Sequence, residues 1–237
     1  LYQVVYKNTK IPKVIIQTGN TYEVSMAQYN AALTFIELNP EYTYIYFNDD
    51  DCIKFISKYF KKSVINAYNN VIPGAYKADL FRYCYIYING GCYFDNKMIN
   101  RMPIRNLLNE NDEIILCDDK TYFYNNIYNA IILSIKNNII FFNCIYDCTN
   151  NIINKWYGTS PWDISGPKLL LTHGKKYKRE LELFVNSFNI KTVHKRKIFI
   201  KKTNTVFCNV YYYEYYDKYY NPNNYVVLWF KKKIYKY

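Results

Sequence analysis

The order of apolar runs and turn signals predicts an α/β layered fold, with a central, largely parallel sheet flanked by helices. Short apolar runs of strand length alternate with longer segments of helical length. Clusters of Thr, Asn, Asp, Gly and Pro stand where one kind gives way to the other. The composition is globular: half of the 237 residues are hydrophobic and 21% are charged. No internal repeat and no strong linker divides the chain, so one domain is expected over 1–237.

Ile11-Pro12-Lys13 leads into Val14-Ile15-Ile16-Gln17, a short apolar run that reads as a buried strand. Thr18-Gly19-Asn20-Thr21 supplies turn and N-cap chemistry for a helix over 21–38, closed by Asn39-Pro40. Residues 42–47 alternate as a second strand. Asn48-Asp49-Asp50-Asp51 then caps a helix to about Phe60, its carboxylates at the positive end of the dipole. The next helix is expected from Pro73-Gly74 through Ile88, stopped by Asn89-Gly90. Gly91 to Phe94 is the strand that delivers Asp95. Residues 113–117 and 128–133 are further strands, 138–156 and 168–173 further helices. Beyond them the pattern turns irregular and strand-like.

Thirty tyrosines stand out, together with abundant Asn, Lys and Ile, all with A/T-rich codons. A base-skewed genome, such as that of a large DNA virus or a parasite, accounts for them. The formal charge of +12 suits a polyanionic partner, from nucleic acid to a single phosphate ligand, without choosing among them. Its densest runs are 191–202, where His194 lies between Lys191, Lys195 and Arg196 as a surface residue, and Lys231 to Lys233. The seven cysteines make no CxxC pair and no metal-ligand spacing. They read as reduced core thiols of a cytoplasmic protein. His173 and His194 are the two histidines, too few for a histidine zinc site. No apolar stretch reaches the length of a membrane span. The sequence opens on Leu1, so an upstream targeting segment stays open.

The chemistry converges on residues 75–97. Asp79 and Arg82 are three apart and share a helix face. From Asp79 to Ile88 the helix rises about 14 Å at roughly 1.5 Å per residue. After the reversal, four strand residues climb back about 13 Å at roughly 3.3 Å each. Asp95 should therefore arrive level with Asp79 and Arg82, at a strand end where α/β sheets bind nucleotides. Two acids and two cations, Asp79, Asp95, Arg82 and Lys97, would meet there. Carboxylates accept hydrogen bonds from sugar hydroxyls, and cations offset a diphosphate. An ordinary Asp79–Arg82 salt bridge beside a glycine helix stop fits the spacing equally well.

Lys77-Ala78-Asp79-Leu80-Phe81-Arg82-Tyr83 and Gly90-Gly91-Cys92-Tyr93-Phe94-Asp95-Asn96-Lys97 resemble the sugar-binding region with a DxD motif of glycosyltransferase family 32. That family reads approximately K-A-D-hydrophobic-x-R-Y, then G-G-x-Y-hydrophobic-D-x-D. Ile11 to Thr18 resembles its opening I-P-K-x-I-H-Q-T-W, Asn39-Pro40-Glu41-Tyr42 and Asn48 to Asp51 its N-P-x-Y and W-x-D-D, and Ser165-Gly166-Pro167 its T-G-P. The likeness runs in order over about 10–175.

The resemblance implies a GT-A-type nucleotide-sugar-binding fold, with 10–175 as the donor-binding core and 176–237 as a C-terminal acceptor and closing region. It implies hexose transfer from a UDP- or GDP-sugar to an acceptor hydroxyl of a glycan or protein, with retention. Asp79 and Asp95 would serve sugar hydroxyls and Arg82 and Lys97 the phosphate side, with Asn96 also binding the donor; Asp95 and Lys97 would serve turnover. Gln17, Thr18 and Asn129 would face the donor. Tyr225 and Trp229, ahead of the lysine run, resemble an aromatic-basic end that closes over the diphosphate; packed aromatics are the alternative. Asp163 either touches a sugar or caps the helix after it.

Three departures from the pattern matter. Ile16 replaces the histidine and Gly19 the tryptophan of the opening motif, and Lys97 replaces the last acid of DxD. That acid usually holds Mn²⁺ or Mg²⁺. Two arrangements stay open here: Lys97 supplies the positive charge itself, or Asp95 holds a cation whose other positions are water. A basic nucleic-acid-binding protein, or a sugar-nucleotide-binding relic without turnover, is the rival reading. Neither nucleic acid nor a membrane segment is expected of this chain.

Overall fold

A computed structural model describes residues 8–120, 125–175, 183–185, 197–210 and 224–236. Its centre is a sheet that begins with β1 (Val14–Thr18), β2 (Thr43–Phe47) and β3 (Gly91–Phe94). It continues through β4 (Ile99–Asn100), β5 (Ile114–Lys120), β6 (Asn125–Ser134), β7 (Leu183–Val185), β8 (Lys197–Ile200) and β9 (Thr205–Asn209). The strand order is β2-β1-β3-β6-β5-β7-β8-β9-β4. The helices are α1 (Met26–Leu38), α2 (Asp49–Tyr59), α3 (Lys62–Asn70), α4 (Gly74–Asn89), α5 (Ile139–Ile153), α6 (Pro167–Gly174) and α7 (Tyr225–Phe230).

The α/β class holds, but the sheet is mixed rather than largely parallel. β1 runs parallel to both β2 and β3, and β5 to β7, while β3–β6, β5–β6, β7–β8, β8–β9 and β4–β9 are antiparallel. The reason is chain length. β6 starts five positions after β5 ends, and a parallel return needs a crossover of a dozen or more residues.

Alternation along the strands builds a core on each face of the sheet. Ile16 and Tyr93 belong to the core shared with α2 to α6, and Ile15, Cys92 and Phe94 to the core on the other side. α4 lies against the first of these, with Leu80, Phe81, Tyr83, Cys84 and Ile86 all buried. Full burial of one such side chain stabilises by about 1.5–3 kcal/mol, so α4 is held along its whole length. None of the seven cysteines forms a disulfide, and all are buried.

Several boundaries differ from expectation. α1 starts at Met26 rather than Thr21, because Ser25 is the residue whose side chain accepts the Gln28 N–H, at 3.2 Å. Thr21 instead donates to the Glu23 carbonyl and Tyr22 reaches Asp51, which keeps 21–24 outside the helix. α3 lies inside a stretch with no expected element. It buries Val64, Ala67 and Tyr68 on one face but has no side-chain cap, so its start carries no signal. α7 is a short helix in a tail expected to be strand-like. The run 191–196, with His194, lies outside the described residues.

The reversal between α4 and β3 is as expected and needs glycine. Gly90 caps α4 at φ 68°, donating to the Ile86 carbonyl, and a Cβ there would lie 2.8 Å from both the Ser134 carbonyl oxygen and the Lys136 nitrogen.

Candidate active site

β1 has β2 on one side and β3 on the other, so the strand order reverses between β1 and β3. Such a switch point opens a crevice beyond the strand ends, with Gln17 and Thr18 at the end of β1 and Asp95 just past β3. α4 brings Asp79 and Arg82 to the same level.

The four charged residues form one continuous chain. Asp79 Oδ1 lies 3.2 Å from Arg82 Nη2, Arg82 Nη1 lies 3.2 Å from Asp95 Oδ1, and Lys97 Nζ lies 2.8 Å from Asp95 Oδ2. Their exposure divides them. The Asp79 and Arg82 side chains are 9% and 4% exposed, those of Asp95 and Lys97 18% each. Asp95 and Lys97 form the accessible end; Asp79 and Arg82 lie behind it.

Asp79 is fully occupied. Asn129 Nδ2 donates to its Oδ1 at 2.7 Å and Ser165 Oγ to its Oδ2 at 2.8 Å, in addition to Arg82. Arg82 donates to the backbone carbonyls of Ala78 at 3.1 Å and Asn129 at 2.6 Å, and its guanidinium stacks 4.2 Å from the centre of the Tyr93 ring. The hydrogen bonds of these two point inward, and the Arg82 contact at 3.2 Å positions Asp95. Asn129 likewise holds Asp79. Gln17 donates to the Asp95 carbonyl at 3.2 Å and accepts from Tyr44 Oη, and Thr18 Oγ1 lies 3.4 Å from Tyr93 Oη. Both are buried beneath Asp95.

Asp95 to Met98 is a turn, closed by the Met98 N–H on the Asp95 carbonyl at 3.1 Å. It carries Asn96, whose side chain bonds to Tyr46, and folds the Lys97 ammonium back onto the carboxylate two residues earlier. The departure at Gly19 has a steric cause: a Cβ there would stand 1.9 Å from Tyr46 Oη, so that phenol occupies the side-chain space. Ile16 is core, fully buried.

Tyr93 and Ser165 belong to the cluster and were not expected in it. Tyr93 Oη donates to Asp95 Oδ1 at 3.0 Å. Period two along β3 puts residues 93 and 95 on one face, so this neighbour was readable from spacing. Ser165 comes from the loop before α6, and its T-G-P-like context was its one signal.

Three expected residues lie apart. Asp163 accepts from the Thr159 N–H, Thr159 Oγ1 and the Ser160 N–H, each at 2.8 Å, and from Lys168 Nζ at 2.7 Å. It secures the 159–163 turn and does not cap the helix after it, whose N-cap is Gly166 with no side-chain cap bond. Tyr225 accepts from Trp162 Nε1 at 3.2 Å and packs on Tyr76, while Trp229 donates to the Tyr157 carbonyl at 2.7 Å with Lys232 over its ring. Both dock α7 against α4 and the 156–166 loop as packed aromatics.

Burial opposes ionisation of both acids, with different outcomes. Burial pushes the Asp79 carboxyl up, against the pull of Arg82, Ser165 and Asn129. Burial would also raise Asp95, but Lys97 and Arg82 outweigh it and hold that carboxyl below the usual range. The stability contributed by Asp95 is thus fully present above the unfolded value of about 3.9 and is lost as pH falls through its own lower value. Asp79 has the opposite sign: its contribution is full below the unfolded value and is lost as pH rises through its raised one. Because Asp95 also raises Asp79, the Asp79 part is removed by comparing Asp79→Asn with the Asp79→Asn, Asp95→Asn double variant. Urea unfolding should show a stability gap that is flat from about pH 8 to 5 and closes below about pH 4. A gap closing between pH 8 and 6 would contradict the assignment.

The fold is of the GT-A type: the solved structure of the PaToxG glycosyltransferase superposes with a TM-score of 0.55, covering 70% of this chain and 68% of that one, at 15% identity. Residues 25–114 match the family model described as the glycosyltransferase sugar-binding region containing a DXD motif. That match spans α4, β3 and the Asp95 turn. Inositol phosphoceramide mannosyltransferase 3 of Schizosaccharomyces pombe is 31% identical over 93 residues, 38% of this chain. The match spans 26% of the length of that relative. None of the helices described is long and apolar enough to cross a membrane.

Proposed function

We propose that the protein is a glycosyltransferase that moves a hexose from a UDP- or GDP-sugar to an acceptor hydroxyl, with retention at the anomeric carbon. The observation that carries this reading is the chain of ion pairs Asp79–Arg82–Asp95–Lys97, set at the switch point of a GT-A-type sheet with its Asp95–Lys97 end accessible. Lys97 faces the donor diphosphate, and Asp95 accepts from a sugar hydroxyl while fixing Lys97. Asn96 lies on the same turn. In the transfer the bond between the anomeric carbon and the diphosphate oxygen breaks, its electron pair leaving with the phosphate. The acceptor oxygen bonds to that carbon and its proton passes to the departing phosphate, so no side chain need act as a base. The chain's part is positioning and electrostatic stabilisation of the leaving group. The acceptor side falls to the C-terminal region beyond 175.

The similarity to a mannosyltransferase makes mannosyl donors the first to test. Thermal unfolding against a panel of UDP- and GDP-hexoses, at about 100 times Kd, should give about 2.7 kcal/mol of stabilisation for the true donor. Release of free nucleoside diphosphate should accompany it once acceptor is supplied. Salt-dependent nucleic-acid binding with no response to any sugar nucleotide would replace this reading.

A further inference from the structure

We propose that the Lys97 ammonium stands in for a divalent cation in this protein, so that the site binds a nucleoside diphosphate without metal. The proposal rests on the sugar-nucleotide reading above and adds the cofactor requirement of that same site.

The donor set does not suit a hard cation. Asp95 is the one accessible acid of the cluster, and each of its oxygens has a partner: Tyr93 Oη at 3.0 Å and Arg82 Nη1 at 3.2 Å on Oδ1, Lys97 Nζ at 2.8 Å on Oδ2. Mg²⁺ or Mn²⁺ binds carboxylate oxygen at about 2.0–2.2 Å, so it would have to expel an ammonium tethered two residues away. The other acid of the cluster, Asp79, lies behind Arg82 with both oxygens occupied by Arg82, Asn129 and Ser165. Among the described residues no group of three or more His, Cys, Asp and Glu side chains converges as a cation cage.

The charge arithmetic points the same way. An acid at position 97 together with a bound divalent ion would contribute −1 and +2, a net +1. Lysine contributes the same +1 with no ion. The diphosphate therefore meets the same net charge in both designs. Position also fits. The 95–98 turn and the pairing with Asp95 fix the Lys97 ammonium at the accessible end of the cluster, where it would meet an incoming diphosphate.

The test is calorimetric titration of UDP and GDP into the full chain, with EDTA and then with Mn²⁺, alongside a spin-resonance count of Mn²⁺ bound per chain. Wild type should bind one of the two nucleotides with the same affinity in both conditions, and hold no stoichiometric Mn²⁺. Lys97→Asp, which creates the two-acid motif, should bind at least about tenfold more weakly in EDTA and recover when Mn²⁺ is added. Wild-type affinity that rises tenfold with Mn²⁺, with one ion bound per chain, overturns the proposal, and this arm needs no variant. Unchanged affinity of a folded Lys97→Asp in EDTA also overturns it. If wild type binds neither nucleotide in either condition, the sugar-nucleotide reading itself fails, and this inference with it.

Discussion

Replacing Asp79 by alanine is expected to destabilise the protein by about 3–5 kcal/mol, on the order of 10 °C in melting temperature, although the residue lies behind the accessible part of the site. The cause is what remains. Arg82 is 4% exposed and is protonated at any accessible pH, its pKa raised because the attraction of Tyr93, Asp95 and Asp79 outweighs burial. Without Asp79 it would be a buried cation with a single carboxylate partner, and Asn129 and Ser165 would lose the acceptor they share. Asp79→Ala combined with Arg82→Met should recover part of the loss, because a pair removed together leaves no buried charge unbalanced. Thermal denaturation of wild type, both single variants and the double variant measures this. A cost below about 1 kcal/mol for the single Asp79 change would show that the carboxylate is not the counter-charge described.

Asp95→Asn should have the opposite profile, with a large loss of turnover and little loss of fold. The amide is isosteric and Arg82 keeps Asp79, so the stability cost should stay near 1–2 kcal/mol. The Lys97 ammonium, however, loses the carboxylate that holds it at 2.8 Å and would no longer be set against the diphosphate. Loss of one oriented electrostatic group in a site of this kind lowers the rate by about 10²–10³-fold. In donor turnover the fall should appear mainly in kcat, with melting temperature within a few degrees of wild type. A folded variant of full activity would remove Asp95 from the reaction.

Where lengths are fixed by covalent geometry, the sequence was legible. A helix rise and a strand rise set how far the chain travels from Asp79 to Gly90 and back to Asp95, and the two side chains do meet through Arg82. Asn48 to Asp51 was equally clear, because a capping box is a local pattern. What the sequence concealed is long-range. The partners that occupy Asp79 lie 50 and 86 positions away, so nothing near Asp79 showed that it would be enclosed rather than open to a ligand. Asp163 has four local donors and one role, but its flanking residues fit either reading. Element types alone suggest a parallel sheet; the antiparallel pairing is carried by connection lengths, the step from β5 to β6 being too short for a crossover.

The most direct test is a crystal structure of the wild-type chain with UDP or GDP bound. The diphosphate should lie against the Asp95–Asn96–Lys97 turn, a phosphate oxygen within about 2.7–3.2 Å of Lys97 Nζ, with Asp79 and Arg82 unmoved behind it. A nucleotide seated elsewhere on the molecule, with the Asp95–Lys97 pair untouched, would contradict the account.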